Sequence, residues 1–135
     1  MTAATGPTLY EKVGGQPFFD ALVERFYEGV ERDPRLRPMY PDDLEPGKRA
    51  LAMFLAQYWG GPADYSREKG HPRLRMRHMP FVIDEAARDA WLAAMLAAVE
   101  IPDIADDVRD ALREYFTVAA THMINAPGDG AMMLR

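Results

Sequence analysis

Apolar residues recur at helical spacing along almost the whole chain, and no stretch alternates with the two-residue period of a half-buried strand. That restricts the fold to an all-α class. Pro17 suits a first helical position, and Phe19, Leu22, Val23, Phe26, Tyr27 and Val30 then share one apolar face, predicting a helix that ends near Asp33-Pro34. A short connection containing Pro34, Pro38 and Pro41 delivers Tyr40. Pro46 opens a second helix with Leu51, Phe54, Leu55 and Tyr58 on its buried side, and Gly60-Gly61-Pro62 stops it. Gly70 and Pro72 interrupt the polar segment that follows, so an extended loop is expected from Pro62 to Arg73, then a short helix carrying Leu74 to His78. Asp84 suits the N-cap of a third long helix, with Ala87, Trp91, Ala94, Met95 and Ala98 on one face, which Ile101-Pro102 breaks. A last helix is expected from about Ile104 to Asn125, with Val108, Leu112, Tyr115, Phe116, Ala119 and Met123 inward, until Pro127 ends it. Leu9 to Val13 should form one turn before Gly14-Gly15.

At 135 residues the chain has the size of one domain, expected over residues 8–127 between a flexible segment 1–7 and a loose tail 128–135. There is no Cys, which removes disulfides, iron–sulfur clusters and thiolate ligation, and leaves His and carboxylates as the metal ligands. The histidines are His71, His78 and His122. A net charge of -5 argues against a nucleic-acid binder whose affinity comes from phosphate contacts. The start of the chain has neither a basic stretch nor an apolar run, and no segment is long enough to span a bilayer, so a cytoplasmic location is expected.

The charge is unevenly distributed. Between Pro62 and Phe81 five bases (Arg67, Lys69, Arg73, Arg75, Arg77) face two acids (Asp64, Glu68), a local balance of +3 that would attract a compact anionic ligand. His78 lies behind these arginines and beside Met79, Pro80 and Phe81. Neutral imidazole ligates metals, and cations nearby can hold the carboxylates of a bound cofactor; the arrangement suggests a haem socket. Taken singly, each feature also has a plainer reading. The basic stretch could be a solvated loop, His78 a structural histidine, and Tyr27 and Trp91 core packing at helical spacing.

Taken together, the motifs YEKVGG (Tyr10 to Gly15), RFYEGV (Arg25 to Val30), LRPMYP (Leu36 to Pro41), MFLAQYWGGP (Met53 to Pro62), GHPRLRMRHMPF (Gly70 to Phe81) and RDAW (Arg88 to Trp91) resemble the group II truncated haemoglobins, in that family's order and spacing. The resemblance implies a two-over-two helical sandwich around a b-type haem. By position it assigns His78 as the proximal iron ligand. Tyr27, which follows Phe26, and Tyr40 and Trp91 correspond to the polar aromatic residues on the opposite face of the iron. Leu51 and Phe54 correspond to apolar lining, and Gly47 to the place where classical globins carry a distal histidine. Met79 and Phe81 adjoin the proximal ligand, and His71 falls near the haem edge or in solvent. For the propionates the candidates are Arg75, Arg77 and Lys69, with Tyr58 and Tyr65 as hydrogen-bond partners; the alternation Arg73-Leu74-Arg75-Met76-Arg77 leaves open which of them face the haem.

The phenols of Tyr27 and Tyr40 and the indole N–H of Trp91 are donors on apolar bodies, suited to holding a polarised diatomic ligand. The resemblance therefore implies tight, reversible binding of O2, with CO and NO as further ligands, and slow release. Redox use is the expected role: NO detoxification with an external electron donor, or weak peroxidase activity on peroxide through oxidisable Tyr27, Tyr40 and Trp91. The alternative is a non-catalytic oxygen carrier or gas sensor. Association into a homo-oligomer is left open by the sequence.

Overall fold

The computed structural model describes residues 6–79 and 81–125, with the backbone alone for Leu74 and Arg75. Every regular element among the described residues is helical: α1 (Leu9–Lys12), α2 (Gln16–Arg32), a 3-10 turn (Arg37–Met39), α3 (Glu45–Tyr58), α4 (Asp64–Lys69), α5 (Leu74–His78), α6 (Glu85–Val99) and α7 (Asp106–His122). The described residues form two compact units, one from residues 6–25 and 43–72, the other from 26–42, 73–79 and 81–125.

The first unit begins with a capping box. Thr8 accepts the Glu11 N–H at 3.1 Å, and the Glu11 carboxylate accepts the Thr8 N–H at 2.9 Å, which lets so short a helix as α1 start cleanly. Tyr10 then donates its N–H to Trp59 O at 3.0 Å and stacks its ring on Phe19. Gly60 and Gly61 make this approach possible: a Cβ on Gly60 would lie 2.6 Å from Thr8 Cβ, and one on Gly61 2.6 Å from the Tyr10 ring. The two glycines thus end α3 and also seat α1 against its end. Phe19, Leu22, Val23, Leu44, Leu55 and Ala56 are buried, and Gln16 Nε2 donates to Ala52 O at 3.2 Å. Lys48 pairs with Glu24 and Glu45, each at 3.2 Å.

In the second unit α6 packs on α7, burying Ala87, Met95, Ala98 and Val99 from one and Val108, Leu112, Phe116 and Ala120 from the other. Asp84 accepts the Ala87 N–H at 2.9 Å and caps α6 as its sequence position predicts. Phe26, Tyr27 and Val30 of α2 are buried in the same unit. At Gly29 a Cβ would stand 3.1 Å from Ala94 Cβ, so α2 and α6 come close there.

Three expectations need correction. Residues 64–69 are helical rather than extended: Asp64 lies in the first turn and Arg67 and Lys69 in the last, charges that suit the helix dipole, and Gln57 clamps Ser66 through two bonds of 2.7 and 2.9 Å. Tyr58 ends α3 and is 54 % exposed rather than buried. Helix α7 stops at His122, three residues before the expected Asn125. Met123 and Ile124 bond back to Ala120 O and Thr121 O in a tightened last turn, and Asn125 N–H turns instead to Ile83 O. The expected C-terminal tail lies outside the described residues.

Candidate functional site

The second unit gathers four of the residues singled out by sequence. Phe26 and Tyr27, consecutive on α2, set their rings edge to face at 5.3 Å, and Phe26 meets Trp91 of α6 at 5.3 Å. Tyr27 meets Tyr40 at 5.7 Å in a T-shaped contact. Trp91, half-buried, also touches Phe116 of α7 at 6.0 Å and is hydrogen-bonded to Tyr40. Indole nitrogen only donates, so the Tyr40 oxygen accepts and its own O–H remains able to donate. Burial first, then the neighbouring Tyr27, push the Tyr40 phenol well above its ordinary pKa, and the Trp91 hydrogen bond pulls the other way. The phenol is therefore a neutral donor at any physiological pH.

Tyr40 reaches this position through a residue that the sequence reading missed. Arg37 donates to three successive carbonyls, Tyr40 O at 3.3 Å, Pro41 O at 3.0 Å and Asp42 O at 3.2 Å, and so folds the proline-rich connection around its guanidinium. Asp33 prepares the turn by accepting the N–H groups of Arg35 and Leu36. An arginine set among prolines, which remove backbone donors and leave carbonyls in excess, was the available signal.

His78 is the last residue of α5 and is half-buried. Its helix follows Gly70, in a backbone conformation (φ 77°, ψ -156°) open to glycine, and Arg73, which adopts the left-handed region with φ 46°. Met76, Met79, Phe81 and Val82 around it are 44 to 74 % exposed. Arg77 is exposed, and the side chain of Arg75 lies outside the described residues. The other candidates belong to the first unit. Phe54 is buried and meets Tyr65 edge to face at 5.5 Å and Tyr58 at 6.2 Å. Gly47 and Leu51 are half-buried on α3, and His71 is exposed. Lys69 lines a cleft of about 430 Å³ with Asp43, Glu45, Pro46 and Arg49. The two acids of the basic segment are both engaged: Asp64 pairs with Arg67, and Glu68 takes a two-pronged contact from Arg49 at 2.7 and 2.8 Å. That contact lowers the Glu68 pKa and raises that of Arg49.

The bacterial-like globin family pattern matches residues 8–125. The chain is 40% identical over 116 residues to the group 2 truncated haemoglobin YjbI of Bacillus subtilis (strain 168), an alignment covering 86% of this chain and 87% of that protein. This chain belongs to the bacterial-like globins and, within them, to the group II truncated haemoglobins. The structure is similar to that of the haemoglobin of the thermophilic phototroph Chloroflexus aurantiacus, with a TM-score of 0.86 and 51% identity over 89% of this chain and 99% of that one. It is similar too to the truncated oxygen-avid haemoglobin of Bacillus subtilis, with a TM-score of 0.83 and 39% identity over 88% of this chain and all of that one. The fold is thus that of a truncated globin, and membership of the family implies gas binding at haem.

The donor set of this truncated haemoglobin suits such a group. Among the described residues no three His, Cys, Asp or Glu side chains assemble to hold a bare metal ion. A single imidazole flanked by exposed methionine and phenylalanine side chains matches instead a metal that arrives within a large apolar ring. No described helix is long and apolar enough to cross a membrane.

Proposed function

We propose that the chain binds O2 reversibly and with high affinity at a b-type haem, with CO and NO as further ligands, and that it serves redox chemistry on small reactive molecules in the cytoplasm. A ferrous haem held by one axial imidazole supplies an open coordination position for a diatomic gas. His78 is the axial ligand in this reading, with Met79 and Phe81 beside it, Phe26, Leu51 and Phe54 as apolar contacts, and Gly47 at the position where classical globins carry a distal histidine. Arg75, Arg77 and Lys69, with Tyr58 and Tyr65, are the residues assigned to the propionates, and His71 is placed near the haem edge.

The observation that carries the reading is the hydrogen-bonded pair of Tyr40 and Trp91 in ring contact with Tyr27 and Phe26. Because the Tyr40 oxygen accepts from Trp91, its O–H becomes a more polarised donor toward a bound ligand. Each such bond to a polarised ligand would contribute roughly 1.5 to 3 kcal/mol, and about 1.4 kcal/mol is tenfold in affinity. Slow release follows, which favours chemistry on the bound gas over bulk delivery. The relative described as oxygen-avid supports this direction. NO detoxification is the reaction we favour, and it requires an external electron donor. Carrier or sensor function is the competing reading.

Visible spectra of the purified wild type and His78→Ala, expressed with ample haem, test the ligation. The wild type should show a five- or six-coordinate histidine-ligated haem, and the variant should lose that ligation; identical spectra would remove His78 from the iron. Stopped-flow mixing of the oxygenated protein with NO and with peroxide then separates the roles. Inertness toward both would leave the carrier or sensor reading.

A further inference from the structure

Asn125 engages its backbone N–H and both ends of its side-chain amide with one segment of chain. Its N–H donates to Ile83 O at 2.8 Å, and its Oδ1 accepts the Ile83 N–H at 2.8 Å. Its Nδ2 donates to His78 O at 3.2 Å and to Phe81 O at 2.9 Å. One N–H facing the oxygen and two carbonyls facing the nitrogen fix the amide orientation, since the flipped amide would set like against like at every contact. Phe81 N–H also donates to His78 O at 3.0 Å. His78 O therefore anchors both the turn after α5 and Asn125 in the segment that follows α7.

This anchoring matters because α5 is five residues long, far short of the length at which a helix sustains itself in water. On its N-terminal side stands Arg73 in the left-handed region, a conformation that a non-glycine residue holds only where its surroundings impose it. On the C-terminal side the restraint is Asn125. We infer that Asn125 is a positioning residue for His78: it fixes the backbone from which the imidazole projects, and it links the orientation of that ring to the chain following α7. The inference rests on the reading of His78 as the axial ligand. It adds a residue that acts through the backbone carbonyl of His78.

The test uses the ferrous, ligand-free holoprotein and reads the iron–imidazole stretching band by resonance Raman, with haem transfer to an acceptor apoglobin as a second measurement. Asn125→Ala should shift or broaden the band and speed haem loss about tenfold, from three side-chain hydrogen bonds each worth roughly two-fold. Asn125→Asp keeps an acceptor for Ile83 N–H but turns a carboxylate toward two carbonyls, so it should disturb the band at least as much; it carries the test if the alanine variant does not fold. In a His78→Gly protein supplied with free imidazole, adding Asn125→Ala should leave the band in place, because a diffusible imidazole is independent of the backbone at position 78. An unchanged band in both Asn125 variants overturns the inference, and so does an equal change in the His78→Gly background. If His78→Gly retains a protein-derived axial nitrogen without added imidazole, the assignment of His78 itself is what fails.

Discussion

Tyr40 stands under opposed influences, and its behaviour follows from their order. Burial and Tyr27 raise its pKa from 10.0, and the Trp91 hydrogen bond lowers it by less. The folded protein therefore keeps a proton that the unfolded chain releases near pH 10, so the stability linked to this group is intact below that pH and is lost as pH rises toward the folded-state value. Urea melts from about pH 8 to about pH 11 should show a steeper alkaline decline for the wild type than for Tyr40→Phe. Equal slopes would mean that the phenol is open to solvent. Under the proposed function the same contact would slow ligand release. Trp91→Phe and Tyr40→Phe should each speed O2 loss about tenfold, on the scale of one hydrogen bond to a polarised partner, measured by CO displacement. Since Trp91 donates to Tyr40, the double variant should fall short of the product of the two; a full product would show that the two side chains act independently. The types of these residues were legible in the sequence, and Tyr27 and Trp91 could be placed on their helices by periodicity. Their mutual contacts were not, because Tyr40 leaves an irregular connection whose path depends on Arg37 bonding to three carbonyls.

Among the elements, α2, α3 and α6 begin and end close to where prolines, glycines and the Asp84 cap predict, because those signals act within one turn of chain. Helix α4 was missed because its six residues carry too little apolar periodicity, and part of its support, the Gln57–Ser66 clamp, comes from α3. Helix α7 was predicted too long for a related reason: nothing local forbids helix through Asn125, but Ile83 and the turn after His78 claim its hydrogen-bonding groups. The close approach of α2 and α6 at Gly29 and Ala94 gives a direct test of packing between elements. Gly29→Leu should destabilise by roughly 1 to 3 kcal/mol through overpacking, despite leucine's better helix propensity. It should also shift Trp91 fluorescence, since Phe26 lies one turn from Gly29 and touches Trp91. Unchanged denaturation with an unchanged spectrum would show that the two helices separate there without cost.

For the molecule as a whole, the exposed Met76, Met79, Phe81 and Val82 beside His78 make a prediction about the cofactor. A ligand that covers apolar surface in the folded state alone stabilises it by mass action. Extracting haem should lower the melting temperature measured by circular dichroism, and adding it back should restore the value. An apoprotein that melts with the holoprotein would argue that haem meets no folded surface of consequence. The helical class, the cytoplasmic expectation and the candidate His78 all came from short-range information: spacing, capping residues, composition and motif order. The family resemblance extended that reading to Tyr27, Tyr40 and Trp91. Which side chains touch was decided by tertiary structure, because Phe26 and Tyr40 on one stretch meet Trp91 on another, and Asn125 reaches back 47 residues to His78. Local sequence sets the helices since their hydrogen bonds close within four residues, whereas the pairing of distant segments depends on the burial and hydrogen-bond satisfaction of the folded chain.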